Sequence, residues 1–432
     1  MIGKATMSRN DPSSDSRLVA LAALGDILGR RQTLDQALKP DGLQEPRDRA
    51  FAHLLTATVL RRKGQLDAIV ARCLDKLPRP EIVDLLRLGA AQLLFLATPP
   101  HAAVDSAVTL ARQIGLVAFA PLVNAVLRRI ANQGAGWLAA QDAALLNTPP
   151  WLWRSWCDSY GEATTRAIAA IHLQAPPLDL TAARQPEAWA DRLGATLLFN
   201  GSLRRPNSAV TLLPGFAEGG WWVQDVAASL PAGLLAPAPG ERIADLCAAP
   251  GGKTAQLAAA GASVTALDRS ARRLAILADN LRRLSLPVQM VEADAGIWRP
   301  DIPFDKVLLD VPCSATGTLR RHPDLAWIKR PDDIGKLTVA QDRLLAAAAD
   351  MVRPGGQLLF CTCSLQPEEG PARILSFLVR RPDFVRLPIA ASELAGQTAL
   401  IDGSGDLRTL PCHLAEIGGM DGFYAARVRR RD

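Results

Sequence analysis

The chain has 432 residues, 49% of them hydrophobic and 21% charged, with a formal net charge of +6. That length gives room for two or three domains with cores of their own, and that balance is the one found in soluble globular proteins. No apolar run approaches the length of a membrane span, the polar start does not read as a secretory signal, and seven scattered Cys without a CxxC pair exclude a disulfide framework. A reducing cytosol is therefore the expected compartment, where thiols stay free for catalysis. The mild basic excess lies mostly in the first 150 residues. It is compatible with a nucleic-acid partner and equally with an ordinary solvated surface.

Residues 1–14 read as a disordered tail. From 16 to 130 the pattern is helical throughout. Leu18, Leu21 and Leu28 share one face, as do Val104, Val108 and Ala111, and then Val123, Val126 and Leu127. Breaks fall at Lys39-Pro-Asp-Gly, Leu77-Pro-Arg-Pro, Thr98-Pro-Pro and Gly115. No strand-like alternation interrupts this stretch, so an all-helical domain is expected. Its second half is similar to the antitermination factor NusB. The similarity is carried by Leu85-Leu-Arg-Leu-Gly-Ala-Ala-Gln-Leu-Leu94, Ala103-Val-Asp-Ser-Ala-Val108 and Leu122-Val-Asn-Ala-Val-Leu-Arg-Arg-Ile130. The resemblance implies an RNA-binding domain; Arg128 and Arg129 fit either RNA contact or a helix C-terminus supported by positive charge.

Trp137, Trp151, Trp153 and Trp156 follow, either as a packing joint or as a base-stacking platform. Strand, helix and strand patterns over 178–182, 186–193 and 196–199 suggest a small βαβ-like insert, a joint or a surface guiding RNA. From about 220 strands alternate with helices. Strands are expected at 242–246, 263–268, 289–294, 304–310, 357–362 and 422–428, with helices at 271–284 and 334–352 among them. Such alternation predicts a doubly wound, mostly parallel sheet.

The stretch with the most chemistry is Asp245-Leu-Cys-Ala-Ala-Pro-Gly-Gly-Lys-Thr254. Strand, glycine turn and helix start aim backbone N–H groups and a helix N-terminus at one crevice, where a nucleotide-like ligand can lie. The pattern is not a P-loop, because position 247 is Cys where that motif needs Gly. Asp268 and Asp294 close the next two expected strands, suited to ribose hydroxyls and an adenine edge, although an acid there also serves as a helix N-cap. Cys313 and Cys363 sit just past the ends of the following two strands, at the edge of an open sheet where ligands bind. Either Cys alone would pass for a buried, inert thiol. No further Cys/His pair is suitably spaced for a metal at Cys361 and Cys363, so no metal site is expected.

Taken together, DLCAAPGGKT, Asp310-Val-Pro-Cys-Ser-Ala-Thr-Gly-Thr-Leu-Arg-Arg-His-Pro-Asp-Leu-Ala-Trp327 and Cys361-Thr-Cys-Ser-Leu-Gln-Pro-Glu-Glu369 resemble the signatures of the Nol/Nop/Sun family of RNA cytosine-C5 methyltransferases. Trp222-Val-Gln-Asp-Val-Ala-Ala-Ser229 resembles the family's upstream motif, and the NusB-like segment narrows the resemblance to the bacterial Sun/Fmu type acting on 16S rRNA. The resemblance implies a class I, Rossmann-like methyltransferase domain behind the helical one, with S-adenosylmethionine as cofactor and RNA, most simply 16S rRNA, as partner. The expected boundaries are 1–14 tail, 15–135 NusB-like domain, 136–205 linker and small insert, and 206–432 methyltransferase domain; a monomer is expected.

The family's chemistry explains the residue types. Cytosine C5 is a poor nucleophile until a thiolate adds at C6. By the resemblance, Cys363 is the nucleophile and Cys313 helps release the product. Asp310 holds the cytosine edge and borders the cofactor, and Lys253 assists positioning. Cys247, Ala248, Ala249, Pro250, Gly251, Gly252, Lys253, Asp268, Asp294 and Asp310 would hold the cofactor. DNA cytosine methyltransferases use a Pro-Cys nucleophile, so Cys313 keeps a DNA-type mechanism in view, while the Thr-Cys motif and the NusB-like segment favour RNA. A tRNA substrate and a non-catalytic assembly factor are the rival readings. Gly370 departs from the Asn common in relatives. Arg320, Arg321 and His322 fit either RNA phosphate or structural ion pairs.

Overall fold

The computed structural model describes residues 12–38, 43 and 45–432. The tail expected over 1–14 lies outside the described residues as far as 11, and a helix begins at Pro12. The break expected at 39–42 also lies outside them. The chain forms two compact units. One runs to Arg154 and takes in His322–Lys329; the other consists of Ser155–Arg321 and Arg330–Asp432. Among the described residues, no helix is long and apolar enough to cross a membrane.

Every regular element described in the first unit is helical. Pro46–Arg61, Pro80–Leu94 and Pro100–Gln113 each start on a proline, whose missing N–H would have been unpaired there anyway. Leu85, Leu88, Val123, Leu127 and Ile130 are buried, so the motifs that resemble NusB are core positions. Gly89 is needed because a Cβ there would come within 2.5 Å of Leu127. Leu18 departs from expectation at 39% exposure: the first helix packs through Ala20, Ala23, Leu24 and Ile27, whose small alanines draw its neighbours to that side. Arg128 and Arg129 are exposed in the middle of Ala120–Ala139, not at a helix end. The segment 322–329 is tied to this unit by Leu34 N donating to Asp324 Oδ2 (3.1 Å), Arg31 Nε to the Ile328 carbonyl (2.7 Å) and Trp327 Nε1 to the Leu60 carbonyl (2.8 Å).

The second unit opens with a small sheet. Its strands β1 (Leu178–Ala182), β2 (Thr196–Leu197), β3 (Leu203–Arg205) and β4 (Trp221–Val223) lie in the order β2-β3-β1-β4, all antiparallel. β1, the helix Pro186–Leu193 and β2 form the βαβ-like insert expected: β1 and β2 each run antiparallel to β3, which lies between them, so they are parallel to one another, with β2 only two residues long. A buried ion pair, Arg204 to both oxygens of Asp179 at 2.7 Å, joins β3 to β1. The Asp179 carbonyl accepts from Gln224 N (3.1 Å), fixing the chain that leaves β4.

The large sheet is built from β5 (Arg242–Leu246), β6 (Ser263–Asp268), β7 (Gln289–Glu292), β8 (Phe304–Asp310), β9 (Val352–Thr362), β10 (Phe384–Arg386), β11 (Leu407–Thr409) and β12 (Phe423–Arg430). Its order is β10-β12-β9-β8-β5-β6-β7, with β11 paired to β12. The run from β9 to β7 is parallel, and β12 closes it antiparallel. Both faces are buried. Val307, Leu309, Leu358 and Phe360 enter one core, and Leu308, Leu359 and Cys361 enter the other. This is the doubly wound, mostly parallel architecture expected. β7 stops before Asp294, whose carboxylate instead accepts from Gly296 N (2.8 Å). β9 starts five residues before the expected strand; Pro354, Gly355 and Gly356 mask it, since those residue types are rare in strands.

Candidate active site

At the C-terminal edge of the parallel strands lies a cavity of about 400 Å³ within the second unit. Such a volume suits a small-molecule site. Its floor is the turn after β5. Cys247 takes a left-handed conformation (φ 61°), and Gly251, at φ +104°, precedes the helix Gly252–Ala259. Gly251 has two reasons to be glycine: that backbone angle, and Leu277 Cγ only 3.0 Å from where a Cβ would stand. Cys247, Ala248, Ala249, Pro250, Gly252 and Lys253 line the cavity, together with Asp245, Arg273 and Phe423.

The opposite wall is made by the loops after β8 and β9. Asp310, Cys313 and Cys363 line it, and the two thiol sulfurs are 3.4 Å apart. Lys253 reaches across to Asp310 (Nζ to Oδ2, 2.8 Å) and lies 4.7 Å from the centre of the Phe423 ring. Gly317 holds the loops together. Its N–H donates to the Cys363 carbonyl (2.9 Å), and its carbonyl accepts from Gly422 N (2.8 Å). A Cβ at 317 would stand 1.9 Å from the Gly422 oxygen. The helix that carries Trp156 secures the same loop. Trp156 is buried, and its Nε1 donates to Gln366 (2.9 Å), so this Trp is a packing joint.

Electrostatics sort the groups. The hydrogen bond that the protonated Cys363 shares with Cys313, together with burial, pushes the Cys363 thiol well above its ordinary range. Burial pushes Cys361 up likewise, and Cys247 to about 12, so all three stay protonated near neutrality. Burial opposes the Lys253 ammonium, but Asp310 outweighs it and keeps Lys253 charged. Burial lifts Asp245 to about 7 against the hydrogen bond it accepts from Thr254 Oγ1 (2.6 Å).

Three expected cofactor residues, Gly251, Asp268 and Asp294, stand apart from the cavity lining. Asp268 is buried, accepts from Ala249 N (3.3 Å) and Ser270 N (3.0 Å), and is covered by Arg273 (Nη1 to Oδ2, 3.2 Å). Asp294 pairs with Arg343 at 2.9 Å. Arg320 is fully buried between Asp225 and Asp421, which decides for the structural ion pair. Arg321 also pairs with Asp421, yet its half-exposed side chain lines the cavity. Among the described residues, no group of three or more His, Cys, Asp or Glu could hold a metal. Sequence patterning missed Arg273 and Phe423, which come from a helix and a distant strand and carry no motif of their own.

The family model described as 16S rRNA methyltransferase RsmB/F matches residues 232–429, and that of the NusB family matches 14–132. Ribosomal RNA small subunit methyltransferase B of Cronobacter sakazakii is 34% identical over 97% of this chain and 99% of its own. The protein of the same name from Pseudomonas putida is 36% identical over 95% and 98%. Among solved structures, PH0851 shares the fold with a TM-score of 0.77, at 23% identity over 98% of this chain and 100% of its own. A methyltransferase homolog from Pyrococcus horikoshii matches with a TM-score of 0.52 at 25% identity, over 65% of this chain and 99% of its own.

Proposed function

This chain belongs to the RsmB/F family of 16S rRNA methyltransferases, with a NusB-family segment ahead of the catalytic unit, and from that premise we propose that it methylates C5 of a cytosine in small-subunit rRNA through a covalent bond from Cys363. The observation that carries the reading is the pair of thiols, 3.4 Å apart, in one cavity with the Asp310–Lys253 ion pair. RNA binding alone needs none of these groups.

S-adenosylmethionine, when bound, supplies an electrophilic methyl group. The cavity suits its charged end: Asp245 Oδ1 is buried without a hydrogen-bond partner, which an ammonium group would satisfy. The 247–253 turn would hold the rest, with Asp268 reached once the half-exposed Arg273 swings aside. A cytosine turned out of its stack would enter beside the thiols. Cys363 would lose its proton and add to C6, leaving C5 electron-rich. Asp310 would hold the N3/N4 edge, and Lys253 and Arg321 would balance the negative charge that addition pushes onto the ring. After transfer a water molecule would take the C5 proton, the C5–H electron pair would restore the C5–C6 double bond, and the C6–S bond would break with its electrons returning to Cys363. Cys313 is the neighbouring thiol that would assist that release.

The test is a denaturing gel of wild type, Cys363→Ala, Cys313→Ala and the double variant with radiolabelled S-adenosylmethionine and unmodified rRNA. Cys363→Ala should abolish transfer, and Cys313→Ala should accumulate a protein–RNA band that disappears in the double variant. An adduct that depends on Cys313 would overturn the assignment in favour of the DNA-type mechanism. Intact RNA binding without label in any lane would favour an assembly factor or another RNA.

A further inference from the structure

Glu369 is fully buried behind the two cysteines, outside the cavity lining. Its Oε1 accepts from Ser314 N (2.9 Å) and Gln341 Nε2 (3.0 Å). Its Oε2 accepts from Ser364 Oγ (2.6 Å) and from Ser314 Oγ. Ser314 follows Cys313, and Ser364 follows Cys363. Gln341 Nε2 also donates to the Pro312 carbonyl (3.0 Å), so the residues on both sides of Cys313 are tied to this one carboxylate. Ser314, Gln341, Ser364 and Glu369 are all at most 0% exposed. Buried carboxylates are normally matched by a cation. Here four neutral donors do that work, and every one is attached to a cysteine-bearing loop or to the helix behind it.

The two loops do not depend on Glu369 equally. Cys363 directly follows β9, whose Thr362 is in register with Tyr424 of β12, and its carbonyl is held by Gly317. Cys313 lies three residues past Asp310, the end of β8, and its flanking residues reach Glu369 through Ser314 N, Ser314 Oγ and Gln341.

We propose that Glu369 is a positioning residue that keeps the Cys313 thiol beside Cys363, and so governs release of the product from the enzyme more than its attachment. The consequence for turnover rests on the two-cysteine reading above; the positioning itself does not. Without Glu369, Cys363 keeps its place on the sheet and still adds to the base, while Cys313 drifts and release slows. Glu369→Gln keeps one oxygen for Ser314 N–H and Gln341, and its NH₂ can donate to the two serine hydroxyls, which turn to accept. Glutamine should therefore rescue what alanine loses.

Two readouts separate the claims. In the apo protein, diamide takes two electrons and two protons from a neighbouring thiol pair and leaves a disulfide; mass spectrometry follows the Cys313–Cys363 bridge. Glu369→Ala should slow its formation roughly ten-fold or more, and Glu369→Gln about two-fold at most, because displacements near 1 Å are felt strongly by reactions between placed groups. In turnover with rRNA, Glu369→Ala should build up the covalent adduct as Cys313→Ala does, and Glu369→Gln should not. Retained S-adenosylhomocysteine binding checks the fold. Should Glu369→Ala not fold, Ser314→Ala carries the test, with bridge formation slowed about three-fold for one lost tie. Wild-type bridging rates in the alanine variants overturn the positioning role. Slowed bridging with no adduct even in Cys313→Ala upholds positioning and sinks the covalent reading instead.

Discussion

Cys313 Sγ lies 3.4 Å from Cys363 Sγ, although 50 positions separate the residues in the chain. They meet because β8 and β9 are parallel neighbours, so loops leaving the same end of both strands share a rim. Cys313 raises the pKa of Cys363 by hydrogen bonding, which makes the ionisation of the thiol proposed to attack depend on its partner.

In Cys313→Ala that hydrogen bond is gone, and the Cys363 pKa should fall. Alkylation of Cys363 by iodoacetamide, followed by mass spectrometry from pH 6 to 10, should rise with pH in both proteins, with the variant's curve displaced to lower pH. Superimposed curves would show that the partner thiol does not control ionisation. The wild-type kcat/KM should rise with pH across neutrality for the same reason, since only the thiolate attacks.

Gly317→Ala should disable the site without touching a reacting group. Its Cβ would stand 1.9 Å from the Gly422 oxygen and 2.8 Å from that of Cys363, both backbone atoms that cannot turn away. The expected loss is about 2 kcal/mol of stability or more, with transfer reduced further because the cysteine loops separate. Urea denaturation and a transfer assay measure the two effects; a wild-type midpoint would refute the close approach.

Asp245 makes stability depend on pH in an unusual direction. Its folded pKa is about 7, above the unfolded value of about 3.9. Between these values the native state binds more protons than the unfolded one, so stability falls as pH rises from about 4 to about 7 and the whole penalty is present above that. Asp245→Asn should remove this slope. Relative to wild type it should gain up to about 4 kcal/mol between pH 4 and pH 8. Urea midpoints that run parallel for the two proteins over that range would exclude Asp245 as the source.

Arg320→Leu should unfold the catalytic unit more than it weakens RNA binding. The guanidinium is buried against Asp225 and Asp421, which are also buried, and its removal leaves the Asp225 carboxylate without its cation, while Asp421 keeps Arg321. The expected cost is about 3–5 kcal/mol, with little change in the slope of RNA affinity against salt, because a buried cation displaces no counterions from phosphate. A salt slope reduced by about one unit in a folded variant would return Arg320 to the RNA surface.

The strands that carry the chemistry were legible because β5, β6 and β8 are dense apolar runs that end in Asp, Gly or Pro signals. The turn at 247–252 and both cysteines announced themselves by residue type. What patterning could not reach is set by partners distant in sequence. β10 and β11 have three residues each and exist only because β12 offers an edge. The helix Val226–Leu234 contains Pro231, which reads as a break. Arg273 covers Asp268 from a helix whose pattern says only that this face is solvated. Glu369 reads as half of an exposed acidic pair; its burial follows from four donors contributed by three other elements.

The placement of 322–329 bears on how the protein can be made. The first unit leaves Leu34 N, Arg31 Nε and the Leu60 carbonyl waiting for partners that belong to Asp324, Ile328 and Trp327. On a ribosome these helices emerge early, since chains are synthesised N-terminus first. They remain incomplete until translation has passed Lys329, deep inside the sequence of the other unit. Cutting the gene after Arg154 would leave the second fragment with all of its own unit and the first without 322–329, and mixing the two should restore what the first lacks.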